Sequence, residues 1–539
     1  MSYIQNPILK GFNPDPSICR VGDDYFIATS TFEWFPGVQI HHSKDLKNWR
    51  LVARPLNRTS QLQMKGIPDS CGVWAPCLTY DNGVFYLVYT NVKSFDGVWK
   101  DTPNYMVTTT DIYGDWSEPI YLSSRGFDGS LFHDRGKKWY VSMLVDHRNG
   151  RFFGGIEMQE YDPLQKKLVG DVHYLTEGTD LGLTEGPHLY KRGDYYYIVL
   201  AEGGTEYGHA MSIGRSSSIF GPYEFHPKHP FISAAESEGN PLQKSGHGDL
   251  VETQNGDWYA VFLVGRPLTT RGNCTLGRET AIEELEWKDG WPWLKSGGRV
   301  PRERIPKPNL PEHTFSHNGS MVNFDAHMVP IEFQSLRIPM TEDWCSLTAR
   351  NGYLRLYGKE SLTSLHQQSL LARRIQDFHI VASTEVEFQP QNLHHMAGLV
   401  FYYNAGHYHY VCITSNPDGS KKMLNVISSD NYKMSFQEEL EDVTGVESVV
   451  LKGEMNREIL QFSCSTDGKT FKKIGRELDA SILSDDHVRD GRSRYRPAFT
   501  GSFVGICCQD LAMNEHHADF KWFDYQEIKY LQNQSNEKK

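Results

Sequence analysis

The sequence predicts an all-β protein in which a five-bladed β-propeller is followed by a β-sandwich. Five short motifs recur in the first half of the chain, and their marked residues are separated by 59, 54, 57 and 62 positions. Ten or eleven residues beyond each one, a turn leads into an aromatic pair or cluster. A strand–turn–strand unit at a fixed period is typical of propeller blades. The marked residues are Asp15, Trp74, Asp128, Glu185 and His247.

Turn and strand patterns in the first 300 residues favour the same arrangement. Gly after Asn between apolar runs, as at 82–83 and 255–256, is a hairpin signal because such turns need a positive φ. Segments 86–90 and 195–200 are almost continuously apolar, which predicts inner strands buried on both faces. No long helical periodicity is present before residue 300.

A change in composition in the middle of the chain predicts a domain boundary. Residues 300–311 are rich in proline and charge, which is typical of a semi-rigid linker. Beyond them, short strand patterns such as 382–388 and 396–403 continue without the blade period, and this favours a β-sandwich. We therefore expect a propeller over 1–315 and a sandwich over 316–539.

The composition argues against several classes of partner. The 539 residues carry a net charge of −12 without long charged runs, whereas nucleic acids and anionic membranes are bound through basic patches. The N-terminus lacks the basic start and apolar run of a signal peptide. No stretch approaches the roughly 20 apolar residues of a membrane span. Nine scattered cysteines indicate reduced thiols, so we expect a cytoplasmic protein.

Three carboxylates occupy equivalent motif positions and are the strongest candidates for chemistry. Equivalent positions of successive blades face one axis, so Asp15, Asp128 and Glu185 are expected to converge on a central funnel. Two carboxylates that flank a glycosidic bond suffice for its hydrolysis, and a third would raise the pKa of the acid by like-charge repulsion. Acidic residues at turns are also common caps, however. The alternative is a sugar-binding propeller without catalysis.

Four further residues are candidates for contacts with a sugar. Trp74 and Phe32 could be core residues, but aromatic faces also stack on sugar rings. His247 could be a buried structural histidine, or it could orient a carboxylate or water, or bind a metal. No second histidine at ligand spacing accompanies it, so a catalytic zinc is not expected. Arg278 could form a surface salt bridge, or donate paired hydrogen bonds to hydroxyls or to a carboxylate.

Seven motifs spread over nearly the whole chain carry a family resemblance. They are Gly-Phe-Asn-Pro-Asp-Pro-Ser (11–17), Ser-Thr-Phe-Glu-Trp-Phe-Pro-Gly (30–37), Thr-Glu-Gly-Pro-His (184–188), Leu-Gly-Arg-Glu-Thr (276–280), Leu-Arg-Ile-Pro (336–339), Ser-Leu-Thr-Ala-Arg (346–350) and Phe-Thr-Gly (499–501). Together they resemble glycoside hydrolase family 43, and in particular its bacterial two-domain β-xylosidases.

This resemblance implies a role for each candidate residue. It implies a five-bladed propeller with an appended β-sandwich, and hydrolysis with inversion of configuration. Asp15 would be the general base, Glu185 the general acid and Asp128 the residue that modulates the pKa of the acid. The residues expected to line the pocket are Arg278, Trp74, Phe32 and His247, together with Phe499 on a sandwich loop that closes it.

The implied activity is exo-hydrolysis of short β-1,4-xylo-oligosaccharides, with release of xylose from the non-reducing end. Activity as an α-L-arabinofuranosidase, alone or as a second activity, stays open. The resemblance implies no required cofactor, leaves open a calcium ion in the propeller channel near His247, and implies a homo-oligomer, a dimer or tetramer. One departure is Val145, where relatives often carry an aromatic residue, so stacking on the leaving-group side is expected to be weak.

Overall fold

The computed structural model describes residues 3–95, 97, 99–148, 152–316, 319–325, 328–437, 440–489, 498–512 and 516–529. Over these ranges the named strands pair antiparallel, and helical structure is limited to short pieces such as the 3₁₀ turn Ala480–Ile482 and the α-helix Asp485–Arg489. The predicted fold class, a five-bladed propeller with a C-terminal sandwich, is confirmed. None of the described helices is long and apolar enough to cross a membrane.

Each blade is a small antiparallel sheet whose strands follow chain order from the axis outward. The strands are Ser17–Val21, Asp24–Thr29, Gln39–Ser43 and Arg50–Ala53 in blade 1; Gly72–Asp81, Val84–Val92, Asn104–Thr109 and Ile120–Ser123 in blade 2; Ser130–Asp134, Lys137–Val145, Phe153–Asp162 and Lys167–Thr176 in blade 3; Glu185–Arg192, Tyr195–Glu202, Ala210–Ser216, Glu224–Phe225 and Ile232–Ser233 in blade 4; and Gln243–Glu252, Trp258–Gly265, Arg278–Lys288 and Trp291–Leu294 in blade 5.

The blades close into a ring around a central axis. The first strand of each blade contacts the first strand of the next, and that of blade 5 contacts that of blade 1. Strand Tyr3–Gln5 pairs with Arg304–Pro306, so part of the predicted linker seals the ring. The Asn6 side chain adds hydrogen bonds of 2.8 Å to the carbonyls of Ile282 and Arg302. The starts of all five inner strands therefore meet at one end of the axis.

Two larger sheets form the sandwich. In spatial order, one contains Cys345–Ser346, Leu354–Tyr357, His517–Glu527, His379–Glu387, Ser448–Asn456, Ile459–Ser465 and Lys472–Asp479, with Met321–Asn323 beside His517–Glu527; the other contains Lys433–Phe436, Lys422–Asp430, His407–Ser415, His395–Asn404, Phe503–Asp510, Ser369–Arg374, Gln334–Leu336 and Trp34–Phe35, with Glu441–Asp442 beside Lys422–Asp430. Apolar side chains from the facing sides of both sheets form one core.

A strand from the first domain belongs to the second sandwich sheet. Trp34–Phe35 pairs with Gln334–Leu336, and the Trp34 ring stacks on Phe503 with the ring centroids 3.7 Å apart. Buried residues of the propeller and the sandwich thus share one apolar cluster. The division at residue 315/316 stays a prediction, and the two parts are joined by more than a linker.

Candidate active site

All eight predicted site residues line one cavity of about 550 Å³. It opens at the end of the propeller axis where the inner strands begin, and a segment of the sandwich closes one side. The motifs at 15, 74, 128, 185 and 247 supply one lining residue from each blade. The other three are Phe32, Arg278 and Phe499.

Irregular backbone turns the motif residues toward the cavity. Strand register shifts between Trp74 and Cys77 in blade 2, between Glu185 and His188 in blade 4, and around His247 in blade 5. Bulges of this kind re-aim side chains, and they are frequent beside active sites. In blades 1 and 3 the motif acids instead adopt a left-handed φ.

Asp15 precedes the first strand of blade 1 and is 5% exposed. Its φ is 53°, a region that aspartate enters more readily than most residues. The Ser30 hydroxyl donates to Asp15 Oδ2 at 2.6 Å, and Arg278 Nη1 donates to Oδ1 at 3.0 Å. A carboxylate offers about four acceptor sites. Asp15 is therefore held in place and retains capacity to accept a hydrogen bond from water.

Glu185 begins the first strand of blade 4 and is half-buried. Burial and the Asp15 carboxylate raise the pKa of Glu185 to about 8, against the opposing effect of Arg278. A carboxyl group with this pKa is largely protonated at neutral pH. Glu185 can therefore donate a proton, which an ordinary exposed glutamate cannot do at that pH.

Asp128 is the second acid of the cavity with a raised pKa. It is buried between blades 2 and 3 and has a φ of 55°. Burial raises its pKa well above the ordinary aspartate value, and the Glu185 and Asp15 carboxylates add to this, while Arg278 opposes it. The two ionised carboxylates of Asp128 and Glu185 repel each other, so the pair favours retention of one proton in the cavity.

Arg278 joins the propeller acids to the sandwich. Besides donating to Asp15, its guanidinium donates from Nη2 to the Phe499 carbonyl at 3.1 Å. It also lies over the rings of Phe32 and Phe499, 5.5 and 5.7 Å from their centroids. The neighbouring Gly277, with a φ of 73°, lets this strand approach closely, since a Cβ there would lie 2.7 Å from the Thr500 carbonyl oxygen.

His247 is a neutral imidazole beside the acids. Burial lowers its pKa to about 4, although Asp15 opposes that shift. Its Nδ1 is 3.7 Å from Asp15 Oδ1, which is longer than a hydrogen bond. The other face of the ring meets Gly186, where an added Cβ would be 2.7 Å from Nε2. His247 thus packs between Asp15 and the chain that carries Glu185.

Three aromatic rings from different parts of the chain form one wall. Their centroids are 6.0 Å apart for Phe32 and Trp74, 6.0 Å for Phe32 and Phe499, and 5.4 Å for Trp74 and Phe499. Phe32 is fixed by two backbone hydrogen bonds with Val73, 2.9 and 3.0 Å long. The cavity therefore combines an apolar wall with three acids and a guanidinium, a combination suited to a sugar ring.

Comparison with known proteins identifies the family of this chain. Residues 4–292 match the model of glycosyl hydrolases family 43, and residues 321–526 match that of the β-xylosidase C-terminal concanavalin A-like domain. The chain belongs to glycoside hydrolase family 43. This confirms the family resemblance and makes the protein a glycoside hydrolase.

Full-length relatives of this family 43 hydrolase carry informative names. A β-xylosidase of Bacillus subtilis is 49% identical over 97% of this chain and 99% of its own length. A xylosidase/arabinosidase 43B of Humicola insolens is 46% identical over 98% and 99%. The crystal structure of a xylan β-1,4-xylosidase from Bacillus halodurans superposes with a TM-score of 0.94, at 49% identity, over 97% of this chain and 100% of the other.

Ser70 supports the aromatic wall of the hydrolase and was not among the predicted residues. It is fully buried. Its hydroxyl accepts a hydrogen bond from the Phe499 N–H at 3.1 Å, and its carbonyl accepts one from Trp74 Nε1 at 3.0 Å. Its own N–H donates to Glu33 Oε2 at 3.0 Å. No motif of the sequence marks Ser70, because its role depends on contacts with a distant segment.

A buried charge cluster lies behind Ser70. Arg337 donates from Nη2 to Asp69 Oδ1 at 2.7 Å and from its backbone N–H to the Glu33 carbonyl at 3.0 Å. Burial and Asp69 raise the pKa of Glu33 to about 8, against the effect of Arg337. The sequence analysis assigns no role to Glu33 or Arg337, although both lie in motifs that carry the family resemblance.

The mouth of the cavity holds further residues that the sequence did not single out. Phe95 and Phe152 stand with their centroids 5.6 Å apart, and Phe127 is 6.0 Å from Phe152. Arg489, at the end of the helix Asp485–Arg489, has its guanidinium 4.8 Å from the Phe499 ring centroid and forms an ion pair with Glu206. The remaining new lining residues are Gly97, Lys100, His147, Phe153, Leu183, Gly204 and Thr205.

The protein groups near His247 do not by themselves fit a calcium cage. Calcium takes six to eight oxygen ligands. Asp249, two positions after His247, has its Oδ2 3.7 Å from His188 Nδ1 and already accepts hydrogen bonds from Ser17, Tyr190 and the backbone. Within the described ranges, the one group of three ligand-type side chains whose atoms lie within 4.8 Å of one another is elsewhere, in the sandwich.

Proposed function

We propose that the protein is an inverting exo-β-xylosidase that releases xylose from the non-reducing end of short β-1,4-xylo-oligosaccharides. The observation that carries this proposal is the pairing of a protonated Glu185 with an Arg278-bound Asp15 in a single cavity closed by Phe499. The names of the Bacillus relatives, at 49% identity over nearly the whole chain, support the choice of xylose.

In the proposed reaction the two acids act on opposite faces of the sugar. Glu185 donates its proton to the glycosidic oxygen as the bond from that oxygen to the anomeric carbon breaks. Asp15 accepts a proton from a water whose oxygen forms the new bond to the anomeric carbon. One proton is gained at Asp15 and one lost at Glu185, and the configuration at carbon 1 is inverted.

The surrounding groups have supporting roles in this proposal. Asp128 is the proposed pKa modulator: its carboxyl group and that of Glu185 repel each other when both are ionised, which favours retention of a proton by the pair. Arg278 orients Asp15 and compensates its charge. His247, neutral and packed against Asp15, helps to fix the carboxylate. The Phe32, Trp74 and Phe499 rings supply the apolar wall against which the xylose ring packs.

Leaving-group dependence tests the role of Glu185. Replacing Glu185 by Ala should lower kcat/KM on xylobiose by about 10²–10⁴-fold, and much less on β-xylosyl fluoride, whose leaving group needs little protonation. Replacing Asp15 by Ala should lower both, because water activation is needed with either substrate. Equal losses on both substrates in Glu185→Ala would remove the general-acid assignment.

The stereochemistry and direction of attack are tested on oligosaccharides. Proton NMR of the first-formed xylose from a β-xyloside should show the α-anomer, and early β-xylose would contradict inversion. Xylotriitol, made by reducing xylotriose, should first give equal amounts of xylose and xylobiitol. Early release of xylobiose together with xylitol would contradict exo action from the non-reducing end.

A second candidate activity is α-L-arabinofuranosidase, alone or beside the first. The specific support is the name of the Humicola relative, a xylosidase/arabinosidase, at 46% identity over 98% of this chain. The ratio of kcat/KM on 4-nitrophenyl β-xyloside to kcat/KM on 4-nitrophenyl α-L-arabinofuranoside measures the balance between the two activities. If both activities arise from one site, Asp15→Ala and Glu185→Ala should abolish them together.

We propose that hydrolysis needs no metal cofactor, because Asp15, Glu185 and Arg278 supply the base, the acid and the positive charge. Activity should then survive EDTA followed by desalting. Recovery only on addition of calcium, with calcium retained near one per chain, would instead assign an ion to the channel near His247.

We further propose a cytoplasmic homo-oligomer. All nine cysteines are buried, and nine scattered thiols of this kind suit a reducing compartment. Strand Lys433–Phe436 lies at the edge of a sandwich sheet and exposes Met434 and Phe436, which are two residues apart and therefore on one side of the strand. Light scattering should give a dimer or tetramer that Phe436→Lys weakens, and cell fractionation should place the protein with cytoplasmic markers.

A further inference from the structure

We propose that His407, Asp430 and His487 form a divalent-metal site suited to Zn²⁺, in the sandwich and outside the catalytic cavity. His487 Nε2 is 2.9 Å and His407 Nε2 3.5 Å from Asp430 Oδ1. All three ligand atoms lie within 4.8 Å of one another. Ligand atoms around a tetrahedral zinc, with bonds of about 2.0–2.2 Å, are roughly 3.3 Å apart. The side chains are thus close to ligating positions.

The hydrogen bonds of Asn404 fix the tautomer of His407. Asn404 Oδ1 accepts the Gly406 N–H at 2.9 Å, which identifies that atom as the amide oxygen. The same oxygen lies 2.8 Å from His407 Nδ1, so Nδ1 must be the donor. In the neutral ring the lone pair is therefore on Nε2. Such an outer partner is the usual way in which a metal-binding histidine is oriented.

This tautomer directs a lone pair toward a carboxylate. His407 Nε2 faces Asp430 Oδ1 at 3.5 Å, and in the neutral ring these two acceptors repel each other unless a metal ion lies between them. The Asn431 N–H also reaches Nε2, at a long 3.3 Å, and a metal would replace that contact. Imidazole nitrogen with a carboxylate oxygen is a donor set that zinc accepts, whereas calcium and magnesium favour oxygen alone.

The three ligands come from two elements that a metal would join. His407 and Asp430 are cross-strand partners in the hairpin His407–Ser415 and Lys422–Asp430. His487 lies on the helix Asp485–Arg489. Exposure of the three side chains rises from 1% at His407 through 28% at His487 to 50% at Asp430, so the site is anchored on one side and open to solvent on the other.

The same helix reaches both the propeller and the catalytic cavity. Asp486 accepts hydrogen bonds from Lys244 Nζ and from the Cys274 N–H, and Arg489 packs on Phe499. A metal at His487 would therefore fix the helix that carries a cavity-lining residue. Bound zinc should raise the thermal stability of this segment, since a ligand that binds only the folded state stabilises it.

Zinc titration of the untagged, EDTA-treated and desalted protein tests the site. Calorimetry and metal analysis should give one zinc per chain in the wild type, and His487→Gln should lose that equivalent or bind it at least tenfold more weakly. His487 is partly exposed, so this variant should fold, which circular dichroism checks. His379→Gln is the matched control, because His379 Nε2 contacts the Glu454 carboxylate at 3.0 Å and His379 is not part of the three-ligand group.

Thermal melting gives a second readout that does not depend on catalysis. Zinc should raise the Tm of the wild type and of His379→Gln, and should not raise the Tm of His487→Gln or Asp430→Asn. Equal zinc content and equal Tm shifts in the wild type and in His487→Gln would overturn the proposal, and would assign the zinc to other groups. Absence of zinc binding by the wild type would overturn it as well.

Discussion

The Ser70 hydroxyl accepts a hydrogen bond from the backbone N–H of Phe499, a residue 429 positions later in the chain. Ser70 precedes the first strand of blade 2, whereas Phe499 belongs to a sandwich segment. Trp74 and Phe499 are thus both hydrogen-bonded to Ser70, and their rings meet at 5.4 Å. The wall that closes the cavity is assembled between the two domains, and neither domain forms it alone.

Removing the Ser70 hydroxyl should weaken substrate binding. Ser70 has a φ of 59°, which glycine adopts without strain, so Ser70→Gly isolates the loss of one hydrogen bond. A hydrogen bond of this kind contributes about 0.5–1.5 kcal/mol net. Its loss should therefore lower kcat/KM on 4-nitrophenyl β-xyloside about 2- to 10-fold, mostly through a higher KM. Ser429→Ala, which removes a buried hydroxyl bonded to Gly406, is the control and should leave kcat/KM unchanged. An unaltered kcat/KM in Ser70→Gly would contradict this anchoring role.

The raised pKa of Glu185 should set the alkaline limit of activity. The proposed acid must be protonated, and its pKa of about 8 means that this form is lost as the pH rises through 8. The value of kcat/KM on xylobiose should therefore fall about tenfold per pH unit above that point. β-Xylosyl fluoride should show a much shallower decline, because its hydrolysis needs little acid catalysis. Activity on xylobiose that stays constant to pH 9.5 would be incompatible with the assignment.

The same group should leave a signature in protein stability. Below about pH 4.5, Glu185 is protonated in both the folded and the unfolded chain. Between there and pH 8 the unfolded chain loses the proton while the folded one keeps it, so the free energy of unfolding declines as the pH rises. In Glu185→Gln this contribution vanishes, and the Tm of the variant relative to wild type should increase from pH 5 to pH 8. Glu252→Gln, at an exposed position, should show no such trend. A constant Tm difference for Glu185→Gln across this window would refute the raised pKa.

The five site residues that lie at equivalent positions of the blades could be predicted from the sequence. The blade period placed three acids, a tryptophan and a histidine at equivalent positions, and the ring geometry then required them to meet. Nothing in the period marks Phe32, Arg278 or Phe499. Phe32 and Arg278 are candidates because of their side-chain chemistry, and Phe499 is implied by the family resemblance. Ser70 and Arg489 were missed for a physical reason: each acts through contacts with chain segments far away in sequence, which no local pattern encodes.

The domain arrangement was predictable only in outline. Composition and strand patterns predict two β domains and the segment between them, and the predicted boundary assigns the motif at 30–37 to the propeller. In the structure, Trp34–Phe35 instead extends a sandwich sheet. A two-residue strand is too short to have a periodicity of its own, so its partner is decided by packing, here against Phe503.

Phe152 should provide the leaving-group contact that Val145 does not. Val145 is half-buried in the second strand of blade 3 and is not among the cavity-lining residues, whereas Phe152 lines the cavity beside Phe95 and Phe127. Loss of a contact worth about 1 kcal/mol corresponds to about fivefold in rate. Phe152→Ala should lower kcat/KM on xylobiose by about that factor, with little change on β-xylosyl fluoride, which has no leaving sugar. Val145→Ala is the matched control. Equal effects of Phe152→Ala on both substrates would exclude a leaving-group role.

Truncation at residue 315 should yield an insoluble or unfolded propeller. The truncated chain would expose Trp34, which is fully buried against Phe503, and would remove the strand partner of Trp34–Phe35. An apolar patch and an unpaired strand at one place favour aggregation.

The Phe499→Ala variant of the full chain separates loss of folding from loss of cavity closure. This variant should stay soluble and melt cooperatively, while its kcat/KM falls more than tenfold. Phe471→Ala, at an exposed ring, should change neither property. Sedimentation measures whether the 1–315 fragment is soluble, and a melting curve measures whether it folds cooperatively. A soluble, cooperatively folding fragment with wild-type kcat/KM would show that neither folding nor the active site needs the sandwich.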